Sequence, residues 1–462
     1  MSQSNDQRLV PREGWRYVVL LAKFGNHLLQ LGVMKSLGVL IPSLVIQLDS
    51  TYSTVGLLLS LHQTMYYMAC PLAQMLISRY DVRCVSILGG IGTALPIISA
   101  SFTKATALLG VFFFMSGVSS SLLGQASTVL MRQHFGEHFG TANSISMMGS
   151  LVGGMLVPLL GAKLLDAFGL FGALLCLGGL FLNCIPIGAS LRPPRKTRVT
   201  RQPETHALSD YHGENCDTID ENSRRHFATN TKKGTPAKRS FWMTLLLGLK
   251  LFQKEQYFTL FFLPCQMLCD VVFTGWVLFM VSYAISVGID EQFAVFLPVA
   301  AATGGLVSRV MLAFIMRFRS RWSPGIYALY AGLTGVMLLF YQLNSTLSHL
   351  LVCSFFGGFG MYGAACTYYV CISVIVTDNH FPGIIALSYF FSGISAATAG
   401  VVTGYIYDVI KSFRIIFNIF GGMMFCVSSL AVTYVFVKKR RRSGASAAKQ
   451  CALGSDGHEQ FS

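Results

Sequence analysis

Charge is scarce in this chain. Aspartate, glutamate, lysine and arginine make up 12% of its 462 residues, whereas a soluble globular protein carries about 25%. A water-facing surface of ordinary polarity is therefore excluded. Acidic residues are the rarer sign, 20 against 35 lysines and arginines, which leaves a formal net charge of +15. The basic residues do not line a soluble face, so the excess does not point to nucleic acid. A hydrophobic content of 53% excludes intrinsic disorder of the whole chain. Paired cysteines are missing too. The twelve cysteines fall mostly inside apolar stretches (Cys70, Cys176, Cys184, Cys265, Cys269, Cys366) or in polar segments (Cys216, Cys451), and no pair with metal-ligand spacing reaches an aqueous loop. They read as small apolar packing residues. Neither a metal site, a disulfide framework nor a cofactor is expected. The first ten residues contain no signal-peptide core, so the first apolar segment must itself serve as the insertion signal.

What is abundant is long apolar sequence, with 35 Phe, 19 Met and 45 Gly and a mean hydropathy of +0.56. A helix needs about 20 apolar residues to cross a hydrocarbon core of about 30 Å. Twelve such segments run near 16–43, 54–78, 84–102, 106–131, 141–165, 169–190, 257–287, 292–316, 324–343, 347–377, 382–409 and 413–437. The expected fold is an all-α membrane protein of twelve transmembrane helices in two six-helix halves. The expected units are an N-terminus (1–15), a first half (16–190), a basic linker (191–256), a second half (257–437) and a tail (438–462). Residues 191–240 hold eleven Lys and Arg against six Asp and Glu with almost no apolar periodicity, the composition of a disordered tether. Residues 241–254 could lie along the membrane as an interfacial helix.

Orientation follows from basic residues in short loops. Arg79, Arg83, Arg132, the linker, Arg317, Arg319, Arg321 and Lys438–Arg442 fall on one side, and the other side carries little beyond Lys104, Lys411 and Arg414. The linker and both termini are thus expected in the cytoplasm. The sequon Asn344-Ser345-Thr346 then falls outside.

Charges within spans cost at least about 2.5–3.5 kcal/mol each, so they are site candidates by default. In the first span Lys23, His27 and Lys35 drift around one face. Lys23 lies about two turns from the cytoplasmic end and could snorkel to headgroups. Lys35 is about 28 Å along the helix from Arg16, at 1.5 Å per residue, and so belongs to the outer half. Arg309 lies in the eighth span, too deep to reach water along its helix. Its planar fork matches a carboxylate bidentately, from the protein or from a substrate. Asp270 is the only carboxylate deep in the bundle. It could pair with Arg309, bind a proton or accept from a hydroxyl. His27 and His62 are candidate proton relays, with packing as the blander alternative. Asp166 and Asp408 sit at span ends, where caps or headgroup contacts suffice.

Several short motifs then carry a resemblance. Pro11-Arg12-Glu13-Gly14-Trp15-Arg16-Tyr17-Val18-Val19 is a degraded form of a Pro-Asp-Gly-Gly-Trp-Gly-Trp-Val-Val run. Met34-Lys35-Ser36-Leu37-Gly38-Val39 resembles Pro-Lys-Ser-(Leu/Ile)-x-Val. Ser78–Arg83 with Gly89-Gly90, Leu177–Cys184 with Ala189–Pro193, and Gly404–Asp408 follow in order. Together they resemble the monocarboxylate transporter family of the major facilitator superfamily, over most of the chain outside the linker and tails. That resemblance implies a central site between two halves, exposed to each side in turn. It also implies that Lys35 is the substrate-gating cation and Arg309 the carboxylate ligand.

Two departures stand out. Proton-coupled members carry Asp-x-x-x-Arg in the eighth span, and here Gly305 stands in place of the Asp. The basic cluster before the fifth span has become Glu137 and His138. The expectation is a plasma-membrane secondary transporter of a small organic anion or zwitterion, not an enzyme, with proton coupling in doubt. Family members that lack this Asp tend to move other small solutes. Some members need a single-span accessory glycoprotein. The alternative is a transporter-like sensor or scaffold acting through its linker and tail.

Overall fold

The breaks in the helices are set by proline and glycine. A computed structural model describes residues 7–10, 14–198, 253–410 and 412–455. The first span is Trp15–Val39 continued by Ile41–Gln47, and the second is Tyr52–Met68 continued by Cys70–Arg79. Both interruptions precede a proline, Pro42 and Pro71, in the first turn of the continuing helix. A proline has no N–H to donate to the preceding turn and crowds the residue before it. The third and fourth spans are Val82–Ala100 and Thr106–Phe135. The fifth and sixth share the run Phe139–Phe181, divided at Gly169, whose φ of 68° is a conformation that side-chain-bearing residues avoid. Cys184–Ser190 completes the sixth. The second half comprises Leu263–Ser286, Phe296–Arg319, Ser323–Phe340, Leu347–Ile375, Phe381–Ile410 and Phe413–Ser455.

Among the described residues, eight stretches are long and apolar enough to cross a membrane. Of these, Thr106–Ser190 holds three passes and Gln292–Phe340 two, while the second span misses the length because its pieces have 17 and 10 residues. The result is twelve passes, six on each side of the linker. Large apolar side chains such as Leu21, Phe102, Phe314 and Leu329 point outward, as lipid-facing residues do.

Inside the bundle, small residues let backbones touch. A Cβ at Gly153 would collide with the Leu28 carbonyl, fixing the fifth span against the first, and a Cβ at Gly358 would collide with the Ala301 carbonyl, fixing the tenth against the eighth.

The all-α expectation gains one addition at the linker side. Gln7–Val10 pairs antiparallel with Arg195–Arg198. Beside it, Trp15 Nε1 donates to the Ser190 carbonyl at 3.0 Å and the Arg192 guanidinium lies 4.6 Å from the Trp15 ring. The first residues of the linker are therefore clasped to the N-terminal arm, where composition suggested a plain tether. Residues 199–252, with Cys216 and most of the 241–254 stretch, lie outside the described residues. So do residues 11–13 of the opening motif, Lys411, and the side chains of Asp408 and Cys451.

A cavity between the halves

The eighth span delivers Arg309 to the middle of the bundle, where its side chain is 3% exposed. Its Nη1 donates across the interface to the Met147 carbonyl and, at 2.8 Å, to Ser150 Oγ on the fifth span. The guanidinium lies 5.6 Å from the centre of the Tyr362 ring. Its Nε has no partner. No carboxylate pairs with it, because the two ion pairs among the described residues are Arg132–Asp378 and His380–Glu255. A buried arginine with a free Nε edge retains the two-pronged face that fits a carboxylate.

Arg309 is one of the side chains lining a cavity of about 200 Å³ built by both halves, smaller than the roughly 300–1,000 Å³ of pockets for drug-sized ligands. His27 and Gln30 of the first span, Gln63, Tyr66 and Tyr67 of the second, and Ser150 line it from one side. Asp270, Gln266, Arg309, Tyr369, Tyr389 and Ser392 line it from the other. Asp270 accepts from Gln266, whose Nε2 lies 2.9 Å and 3.0 Å from its two oxygens and 3.1 Å from Ser392 Oγ, and the Ser392 hydroxyl is a second partner of the carboxyl. The tyrosines form one cluster. Tyr67 stacks on Tyr389 at 5.8 Å, Tyr66 meets Tyr67 edge-on at 5.1 Å, and Tyr369 lies 5.4 Å from Tyr389.

The halves are latched toward the linker side. Arg132 donates to Asp378 at 2.7 Å and 3.1 Å, between Phe139 and Phe381, whose rings meet edge-on at 5.5 Å. Gln125 Nε2 donates to the Pro382 carbonyl at 3.0 Å. Ser144 and Asn143 reach Cys366. Together with the bonds of Arg309 to the fifth span, these contacts join the two halves.

Comparisons with known proteins agree with this architecture. A family model described as the Major Facilitator Superfamily matches residues 24–380. The chain belongs to that superfamily. Within it, monocarboxylate transporter 4 of Rattus norvegicus is 24% identical over 442 residues, covering 94% of this chain and 86% of that protein. Monocarboxylate transporter 2 of Mus musculus is 23% identical, covering 96% and 90%. Monocarboxylate transporter 6 of Homo sapiens is 31% identical over 180 residues, 39% of this chain and 36% of that protein. The Escherichia coli fucose:proton symporter FucP (N162A) shares the fold, with a TM-score of 0.65, 13% identity and coverage of 91% of this chain and 99% of that one.

For a facilitator of this kind, the residues singled out from sequence do not all converge. Arg309, Asp270 and His27 share the cavity, but Arg309 and Asp270 form no ion pair. His62 sits behind it, fully buried, with Nε2 3.3 Å from Gln30 Oε1 and Nδ1 without a partner. Lys35 is exposed on the outer half of the first span and does not line the cavity. Lys23 does not snorkel. It is 1% exposed and donates to Asn143 Oδ1 at 3.0 Å, because the fifth span packs over it. Gln266 and the tyrosines went unremarked in the sequence, although the i, i+4 spacing of Gln266 and Asp270 places both on one helical face.

Position 305 explains the missing carboxylate. A Cβ there would lie 2.5 Å from the Tyr362 ring. The tyrosine fills the space that a side chain on Gly305 would need.

Proposed function

We propose that the protein is a plasma-membrane secondary transporter for a small carboxylate-bearing solute, which binds Arg309 in the cavity and is released to each side in turn. One observation carries this reading: a buried arginine, unpaired with any carboxylate among the described residues, lines a cavity shared by two halves. Burying an unneutralised charge is expensive, and a ligand carboxylate offsets that cost. The names of the monocarboxylate transporter relatives point to the same chemistry. The basic residues on the linker side make that side the cytoplasm. Exposed Lys35 then stands on the outer side, where it attracts anions toward the mouth without joining the cavity. Closure on the linker side corresponds to a conformation that takes up solute from outside.

Gly305 with Tyr362 argues for facilitated transport over proton symport through the eighth span. The test is uptake by oocytes of radiolabelled lactate, pyruvate, creatine, carnitine and aromatic amino acids at acidic and neutral external pH. Arg309→Ala, at equal surface expression, should lower uptake of the accepted solute by about tenfold to a hundredfold, the usual loss for a charged hydrogen-bond partner. Undiminished uptake of every carboxylate in that variant would overturn the reading. Uptake of nothing by surface-exposed wild-type protein would favour a sensor or scaffold acting through the linker.

A further inference from the structure

The cavity is lined by one basic and one acidic side chain, Arg309 and Asp270, and neither is in an ion pair among the described residues. Arg309 has an Nε without a partner, and Asp270 has a carboxyl group whose hydrogen-bond partners are the Gln266 amide and the Ser392 hydroxyl, neither of them a cation. That amide has two N–H bonds to share among three acceptors, both Asp270 oxygens and Ser392 Oγ. Acceptor capacity at Asp270 is therefore left over. The carboxylate also lies within electrostatic reach of Tyr67 and Tyr369, members of the tyrosine cluster. Tyrosine faces attract cations and offer nothing comparable to an anion.

We propose that the transported solute is a zwitterion, with its carboxylate on Arg309 and its cationic nitrogen on Asp270 beside the tyrosine rings. The inference rests on the assignment of Arg309 as carboxylate ligand and adds the second pole. A simple monocarboxylate would satisfy Arg309 but would share about 200 Å³ with an uncompensated Asp270. A zwitterion satisfies both poles, and the cavity is neutral as a whole when it is loaded.

The experiment compares solutes matched in skeleton, in oocytes expressing the full chain. One trio is phenylalanine, phenylpropionate and phenethylamine, and the other is γ-aminobutyrate, butyrate and butylamine. Wild-type protein should take up at least one zwitterion about tenfold to a hundredfold better than its parent acid or amine, the discrimination expected when a buried charge is left unpaired. Asp270→Asn should lower the zwitterion-to-acid ratio at least about tenfold, and Asp270→Glu should restore most of it. The ratio does not depend on how much variant reaches the surface. Arg309-dependent uptake that favours the parent acid would overturn the zwitterion and leave the carboxylate site standing. Acid-stimulated uptake of the parent acid, lost in Asp270→Asn, would also overturn it, by making Asp270 a proton carrier. Uptake of no carboxylate at all would overturn the underlying assignment.

Discussion

Gly305, Tyr362 and Arg309 act as one unit, in which the ring fills the space beside the glycine and offers its face to the guanidinium. Gly305→Asp alone should therefore fail. Overpacking costs about 1–3 kcal/mol, and the new carboxyl would have no room. Gly305→Asp with Tyr362→Ala should recover surface expression and make uptake rise at acidic external pH, whereas wild-type uptake stays flat. Radiotracer uptake with surface biotinylation checks both. Lys23 behaves differently, because it does not line the cavity itself. Its ammonium is held by Asn143 and lies 5.9 Å from the centre of the Phe139 ring. Asn143→Ala strands a buried charge and should lower stability by about 1.5–3 kcal/mol, read as a fall in the melting temperature of the purified protein. Lys23→Met, which removes the charge and keeps the volume, should cost far less. The sequence identified Arg309 and Asp270 because charge in a span is conspicuous. It misplaced Lys23 because depth along a helix does not reveal which neighbour covers the side chain.

At the level of helices, glycine contacts and the polar latch do different work. The close approach at Gly358 leaves no room for a side chain against the Ala301 carbonyl, so Gly358→Leu should abolish surface expression, measured by biotinylation. The latch is softer. Asp378 is 76% exposed in its pair with Arg132, and such pairs contribute only about 0–1 kcal/mol. Arg132→Ala should shift the balance toward an open linker side by no more than about fivefold. Cys366, buried beneath the latch, reports that shift through its rate of maleimide labelling, mapped by peptide mass. Exchanging the two charges should bring the rate back. Span positions were legible in the sequence because apolar length is a composition signal. The break before Pro71 and the turn at Gly169 were legible only in part, since both residues also occur within continuous membrane helices, as Pro96 and Pro158 do here.

Across the whole molecule, composition alone dictated a membrane bundle, and the order of motifs supplied its kinship. The strand clasp between Gln7–Val10 and Arg195–Arg198 had no signal, because a polar arm and a polar linker carry no periodicity to pair them. Nor could periodicity say that Tyr67 and Tyr389, from opposite halves, stack in one cavity. One further consequence comes from the division of labour within Arg309. Its Nη1 donates to the fifth span while its Nε has no partner among the described residues, which leaves Nε for the solute under the proposed function. If opening the linker side draws the fifth span away, Nη1 is freed for the solute or for water, and the two faces of the carrier are predicted to hold the same molecule with unequal strength. Detailed balance forbids a passive carrier from turning that inequality into net pumping, so if transport is facilitated and the solute carries no net charge, Vmax/KM is equal for influx and efflux. The asymmetry appears instead as KM and Vmax that differ between the two directions by a common factor, which paired zero-trans measurements would reveal, and Ser150→Ala should shrink that factor toward one.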